Sequence, residues 1–423
     1  MRISVIGGGY VGLVSAACFA DMGHDVTVVE LDQEKVNKIN SGISPIYEKG
    51  LDLLLLAHSG RTLRATTGYG DLSYSDLSLI CVGTPPLPDG NSDLSMIKLA
   101  SASIGEALQD LNGYHVVAVK STVPPGTTES QVMPIVIEHS DLGHNKLGFV
   151  MNPEFLREGL AVKDFFEPNR IVIGSFDKKA GDLVEVAYEG LKAPVIRTGI
   201  SEAEMIKYVS NAFLATKISF SNEIGNICKR LGIDVYEVMK GVGMDPRISP
   251  FFLNAGAGFG GSCFPKDVLA LIHLAEGMGE DPTMLKSVIH VNDLQPLRIV
   301  ALLEEKIGSL KGKHIAVLGL AFKNDTDDIR ESRSIPVIAE LKRKGAEVSA
   351  YDPLANSHMS KIFPDIDYHE MVTDALRGAD ACLVMTEWPE FGLLDKEFDL
   401  MRSRVIIEGR RVLKCRGAEG ICW

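Results

Sequence analysis

Short apolar runs and longer amphipathic ones alternate along most of the chain, which predicts strands and helices in turn. Residues 3–6 form an apolar strand, residues 13–22 an apolar helix stopped by Gly23, and residues 26–29 a second strand closed by Glu30. Further strands are expected at 77–82, 115–119 and 146–151. Strands separated by helices pack into parallel sheets. At residue 201 the period becomes helical and stays so to Leu231, where Gly232 stops it. At ~1.5 Å per residue such a helix is about 45 Å long. That is too long for one crossover, so it reads as a spine joining two domains. Ser201 and Glu204 have the spacing of a capping box at its start.

Helices are also expected at 264–278 and 282–307. At Lys313 the strand–helix alternation begins again. Ile315, Gly319, Gly345 and Asp352 repeat the order of Ile3, Gly7, Gly23 and Glu30, and strands at 380–386 and 404–407 follow. The expected fold is α/β: two Rossmann-like doubly wound parallel-sheet domains joined by a long central helix. The expected boundaries are 1–200, a helical domain at 201–306, and 307–423.

The first loop has the chemistry of a dinucleotide site. Gly7, Gly9 and Gly12 make G-x-G-x-x-G directly after a strand and ahead of a helix. Glycines there permit a tight turn and close approach of a pyrophosphate, which the helix N-terminus attracts. Glu30, eighteen residues past Gly12, is placed to accept hydrogen bonds from an adenine ribose. Its charge would repel a 2′-phosphate, so NAD is expected rather than NADP. Ligands of such sheets bind beyond the carboxyl ends of strands. Thr84 and Thr122 are therefore candidates for the nicotinamide end, unless they merely begin loops. Glu154 and Glu158 follow the strand at 146–151, either as an acid/base and a cofactor contact or as ordinary loop glutamates.

The second chemical feature is residues 254–267, N-A-G-A-G-F-G-G-S-C-F-P-K-D. Pro265 favours the first helical turn, so Cys263 should lie just ahead of a helix N-terminus. There the dipole and Lys266 favour a thiolate on what reads as a flexible glycine platform. Cys263 is a nucleophile candidate, against the alternative of a small buried hydrophobe. Lys207 and Asn211 share one face of the spine, in mostly apolar company. A lysine there is either functional or extends its charge to the surface. Lys323, Arg330 and Arg410 are cationic loop candidates in the second α/β unit, though each could equally be a solvated charge.

Composition narrows the partners. A net charge of −13 over 423 residues argues against nucleic acid. Seven scattered cysteines form neither a disulfide framework nor a metal site and point to a reducing, cytoplasmic setting. No segment reads as a signal peptide or a membrane helix.

The chain resembles the UDP-glucose/GDP-mannose dehydrogenase family over residues 1–412. The resemblance is carried by G-G-G-Y-V-G (7–12), V-G-T-P (82–85), K-S-T-V-P-P-G-T (120–127), N-P-E-F-L-R-E-G (152–159), E-M-I-K-Y-V-S-N (204–211), G-F-G-G-S-C-F-P-K-D (258–267), G-L-A-F-K (319–323) and D-I-R-E-S (328–332). It implies that Cys263 is the nucleophile, with Lys207, Asn211 and Asp267 around it. Thr122 and Asp267 would hold a water, and Glu154 would act as acid/base. NAD would meet Gly7, Gly9, Tyr10, Val11, Gly12, Glu30, Lys35, Thr84, Pro85, Ser121, Thr122, Glu158, Lys266 and Arg330. The nucleotide sugar would meet Glu154, Phe155, Leu156, Arg157, Lys207, Asn211, Phe252, Leu253, Gly260, Phe322, Lys323 and Arg410. Arg247 would come from a neighbouring subunit, implying a homodimer or a larger homo-oligomer. Members commonly carry aspartate where Glu30 stands, and the tail after Lys414 follows no family pattern.

The implied activity is oxidation of a sugar C6 alcohol to a carboxylate with two NAD. A second oxidation, of an aldehyde, explains a thiol that a plain alcohol dehydrogenase does not need. Ser262 and Phe264, flanking the cysteine, favour UDP-glucose over GDP-mannose or an N-acetylated UDP-hexosamine. A non-catalytic nucleotide sensor is the reading from another class, and it gives Cys263, Lys207, Asp267 and Glu154 no common purpose.

Overall fold

The computed structural model describes residues 1–423. The chain divides into two compact units, Met1–Ser210 and Asn211–Trp423. The boundary falls inside the spine helix, which runs from Ile200 to Leu231.

The first unit holds eight strands: β1 (Arg2–Ile6), β2 (Asp25–Val29), β3 (Leu63–Thr66), β4 (Leu77–Ile80), β5 (His115–Val119), β6 (Leu147–Met151), β7 (Ile171–Ser175) and β8 (Val195–Thr198). Their order is β3-β2-β1-β4-β5-β6-β7-β8. All neighbours are parallel except β6 and β7. The strands read as unbroken apolar runs because both faces are covered. Ile3 and Val5 enter one core cluster with Val26, Val116 and Ala118. Ile6 enters the opposite one with Ile80, Val117 and Val119.

The second unit repeats the plan with β9 (His314–Leu318), β10 (Glu347–Tyr351), β11 (Asp367–Tyr368), β12 (Ala381–Val384), β13 (Ile406–Glu408) and β14 (Ala418–Gly420). Their order is β11-β10-β9-β12-β13-β14, all parallel. Strand β14 lies in the tail for which the sequence offers no pattern. Ile421 and Cys422 behind it are buried. The Trp423 ring stands edge-on to Tyr236 at 5.2 Å, and Glu419 pairs with Lys229 and Lys306.

Two local expectations fail. The spine does not open on a capping box. Its first turn closes from Ala203 N to Gly199 O, 3.1 Å, and it is Glu202 whose carboxylate folds over Gly199. Ser201 instead donates to Glu129 (2.7 Å). Glu204 is fully buried and accepts from Gly126 N, Thr128 N and Thr128 Oγ. The three donors offset part of the cost of burying the group. The other is the glycine loop before Cys263, which its neighbours hold in place rather than leave flexible.

One buried polar group in the first sheet titrates where it can be measured. His115 is fully buried, with Nδ1 2.9 Å from Ser75 O and Nε2 2.9 Å from Ser78 Oγ. Burial disfavours its cation and lowers its pKa from 6.5 to about 4. The unfolded chain therefore binds a proton that the folded chain refuses between those two values, and stability falls as pH drops through that window. The full loss is about 3 kcal/mol. Equilibrium denaturation of the wild type and His115→Gln at pH 7 and pH 4.5 should show the wild type losing stability relative to the variant on acidification.

Candidate functional site

In the first unit the candidate residues gather at the carboxyl ends of β1, β4, β5 and β6. Gly7 has φ of +103°, and a Cβ on Gly12 would collide with Gly7 O, so the turn needs glycine at both. A Cβ on Gly9 or Gly83 would meet nothing within 4 Å. That open space above the loop, ahead of the helix Tyr10–Asp21, fits an approaching pyrophosphate. Glu30 accepts from Gly8 N (3.0 Å) and Asp32 N (3.0 Å), which fixes its carboxylate beside the loop. Lys35 lies in the next helix, whose start Asp32 caps.

The loops after β4 and β5 hold each other. Thr84 Oγ1 donates to Thr122 O (2.8 Å), and Ser121 Oγ donates to Val82 O (2.6 Å). Pro85 stays exposed beside them, its carbonyl accepting Asp93 N (2.8 Å).

Beyond β6, Glu154 Oε1 lies 2.9 Å from Lys207 Nζ, with both side chains under a tenth exposed. Glu154 Oε2 accepts Leu156 N (2.5 Å), and the Lys207 ammonium stands 5.3 Å from the Phe155 ring centre. The lysine is thus buried and paired, not extended to solvent. Removing one partner of such a pair typically costs ~3–5 kcal/mol, because it strands the other charge. Arg157 is tied to Asp164 through two nitrogens, and Glu158 lies half-buried next to it.

In the second unit Cys263 occupies the N-cap of the helix Phe264–Gly277 and is exposed. Asp267 N donates to Cys263 O (2.9 Å). Asp267 is buried, accepts Asn211 Nδ2 at 2.6 Å, and lies 2.7 Å from Lys266 Nζ.

The glycine loop before Cys263 is fastened rather than flexible. Asn222 Oδ1 accepts Gly256 N (2.7 Å), and Asn292 both accepts from Phe259 N (2.7 Å) and donates to Phe259 O (3.0 Å). Ala257 N reaches Gly409 O, Gly261 N reaches Arg330 O, and Arg410 donates to Gly258 O. Gly258 needs its φ of +103°, and Gly260 packs its α-carbon against Glu331 O. The glycines serve close approach, and the neighbouring side chains supply the rigidity.

Around that loop, Phe252 packs edge-on to Phe264 with ring centres 6.3 Å apart, and Leu253 is buried. Phe322 covers Gly261, and Lys323 Nζ donates to Asn324 O (2.9 Å). Phe252, Asp325 and Glu331 all adopt left-handed backbone (φ +63°, +58°, +52°). Such strain in non-glycine residues clusters at functional loops. Arg330 is held through two nitrogens by Asp328, and Arg247 by Asp245. A phosphate would have to compete with those carboxylates. Arg333 does not figure among the sequence candidates, yet it is mostly buried beside Gly258, where burial first and then the charge of Arg410 disfavour its cation. Asn222 and Asn292 were missed too. Their signal was an amide on the buried face of a helix.

A dinucleotide cradle in one doubly wound unit, and a second such unit carrying an exposed thiol, suit an NAD-dependent nucleotide-sugar dehydrogenase. Three family models match in sequence. They are the NAD binding domain of the UDP-glucose/GDP-mannose dehydrogenase family over residues 1–192, its central domain over 201–294 and its UDP binding domain over 316–415. The chain belongs to that family. It is 48% identical to UDP-glucose 6-dehydrogenase AglM of Haloferax volcanii, covering 98% of each chain. To UDP-glucose 6-dehydrogenase TuaD of Bacillus subtilis it is 44% identical, over 97% of this chain and 89% of the relative. A solved UDP-glucose dehydrogenase of Pyrobaculum islandicum superposes with a TM-score of 0.94 at 42% identity, covering 100% of this chain and 98% of that one.

Glu204 ties the loop that carries Thr122 to the helix that carries Lys207. Burial pushes its pKa up to about 7, against the pull of its three donors. The folded chain keeps a proton on Glu204 that the unfolded chain has released above 4.5. That stabilisation is complete below pH 4.5 and lost as pH rises through about 7, a change of about 3 kcal/mol. The difference in unfolding free energy between wild type and Glu204→Gln should shrink by that order from pH 4.5 to pH 8. A flat difference would show that Glu204 does not titrate there.

Proposed function

We propose that the protein oxidises the C6 alcohol of UDP-glucose to the carboxylate of UDP-glucuronate, using two NAD per sugar. The observation that carries this reading is Cys263. It is an exposed thiol at a helix N-cap, in a rigid loop, with Asp267 and Asn211 bonded to each other alongside. NAD bound at residues 7–12 supplies the hydride acceptor.

The chain's own residues then do the rest. The Cys263 thiolate, favoured by the helix dipole, adds to the aldehyde of the first oxidation and gives a thiohemiacetal. Loss of hydride from that carbon leaves a thioester. Water cleaves it, forming the C–O bond of the carboxylate and returning the sulfur. Lys207 and Asn211, one turn apart on the spine, are assigned to the oxyanion at C6. Glu154, already bonded to Lys207, is assigned to proton transfer. Thr84, Ser121, Thr122 and Glu158 are assigned to NAD, and Phe155, Leu156, Arg157, Phe252, Phe322, Lys323 and Arg410 to the nucleotide sugar. Ser262 and Phe264 beside the cysteine support glucose as the sugar, as do the relatives named UDP-glucose 6-dehydrogenase.

The working protein is proposed to be a homodimer at least. Met205, Val209, Phe213, Phe220, Ile227 and Leu231 are all over a third exposed. Their spacings of four and seven place them in one stripe along the spine. A second copy is the occupant that the stripe fits, since a twofold axis pairs such a face with itself. Arg247, with its side chain 87% exposed, would reach the partner's substrate.

Three outcomes are expected. In a spectrophotometer, each UDP-glucose consumed should yield two NADH; a yield of one would reject the thioester scheme. Cys263→Ser should bind UDP-glucose like the wild type and make no acid at steady state. Light scattering should find the doubly substituted Phe213→Glu/Phe220→Glu chain monomeric and the wild type at least dimeric.

A further inference from the structure

Glu48 has no role in the proposed chemistry, yet it is buried at 5% exposure. Its Oε2 accepts the Tyr10 hydroxyl and Gly159 N (2.6 Å), and its Oε1 accepts Ala161 N (2.8 Å). Gly159 N also lies 2.8 Å from the Tyr10 hydroxyl oxygen. Tyr10 is the first residue of the helix that follows Gly9, so its backbone belongs to the dinucleotide loop. Gly159 ends the segment 154–159, which carries Glu154, Arg157 and Glu158. One hydroxyl and one carboxylate therefore bridge two loops separated by about 150 residues of chain.

The bridge has a thermodynamic consequence. The bridge is fully formed, so a pyrophosphate on residues 7–12 would stiffen it rather than build it: restraint on Tyr10 would pass to Glu48 and from there to the amides of Gly159 and Ala161. A sugar nucleotide binding segment 154–159 would then lose less freedom of that loop. Coupling of this kind is reciprocal.

We propose that Tyr10 and Glu48 are positioning residues that couple coenzyme binding to sugar-nucleotide binding. They do so through the bridge from the dinucleotide loop to segment 154–159. The proposal rests on the functional reading above and gives Tyr10 and Glu48 a part in it that touches neither the reacting carbon nor the sulfur.

The test uses NADH and UDP-glucose, a pair that cannot react. Fluorescence titration gives the NADH Kd of the wild type with and without saturating UDP-glucose. The expected tightening is about fivefold or more, the usual scale of coupling between sites. Tyr10→Phe removes one oxygen and should bring the ratio to within about twofold of unity, whatever its effect on the Kd for NADH alone. Glu48→Gln, checked by thermal melting, should lower the ratio as well and serves if Tyr10→Phe does not fold. A merely structural role would weaken both affinities and leave their ratio alone. A Tyr10→Phe ratio equal to that of the wild type overturns the proposal, and so does a wild-type ratio of one. Failure of the wild type to bind UDP-glucose would overturn the functional reading alone. The ratio would then be measured with GDP-mannose, and the same two results would overturn the coupling.

Discussion

The interaction on which the site depends is a buried side-chain oxygen accepting the backbone N–H groups of a glycine-rich loop. Parallel sheets end in loops at their carboxyl edge, and glycine lets those loops approach a ligand. Glycine also removes the side chains that would satisfy neighbouring amides, and a buried amide left unpaired costs about 1–3 kcal/mol. The chain answers with the same device in loop after loop. Glu30 accepts Gly8 N, Glu48 accepts Gly159 N and Ala161 N, and Glu204 accepts Gly126 N and Thr128 N. In the second unit Asp352 accepts Leu320 N and Ala321 N, Glu408 accepts Val412 N and Leu413 N, and the two asparagines hold the cysteine loop. The loops are therefore held by side chains that reach them from elsewhere in the chain.

The internal repeat takes on a sharper meaning in this light. Glu30 and Asp352 end the second strand of their respective sheets, and both turn back onto the first loop of their unit. Glu30 is half-buried, and each of its carboxylate oxygens accepts one backbone N–H. Asp352 is almost fully buried, and it also receives Trp388 Nε1 (3.1 Å). One position in one topology thus gives a partly exposed carboxylate in the first unit and a purely internal anchor in the second. This explains how the second unit keeps the Rossmann order of strands without the full glycine fingerprint.

What the sequence disclosed follows from which interactions are local. Strand runs, the restart at Lys313, the spine and the N-terminal place of Cys263 depend on periodicity and on Pro265, and all are legible in sequence. The anchors are not. Glu204 has the correct spacing for a cap and abandons it for amides 76 residues away. Glu48 looks like any acid in a loop until Gly159, 111 residues on, supplies its donor. The tail gives no sequence pattern because its strand owes its existence to the register Ile406↔Ala418 with β13. Nothing within residues 415–423 dictates that pairing.

The same distinction bears on the chemistry. A nucleophile that must attack, be released and be reused cannot sit on a loop that drifts by an ångström between steps. The loop before Cys263 meets that demand with few side chains of its own. Its amides are bonded at Gly256, Ala257, Phe259 and Gly261, and its Gly258 carbonyl is held by Arg410. An asparagine uses both ends of its amide on one residue, as Asn292 does on Phe259, and so fixes translation and rotation together. An aspartate at that position could accept Phe259 N but could not donate to Phe259 O, and it would bring a negative charge into the interior. The choice of amide over carboxylate at Asn222 and Asn292 thus keeps a negative field away from the stretch that leads to Cys263. Carboxylates do the same work in the dinucleotide loops, where a fixed negative charge also disfavours the extra phosphate of NADP.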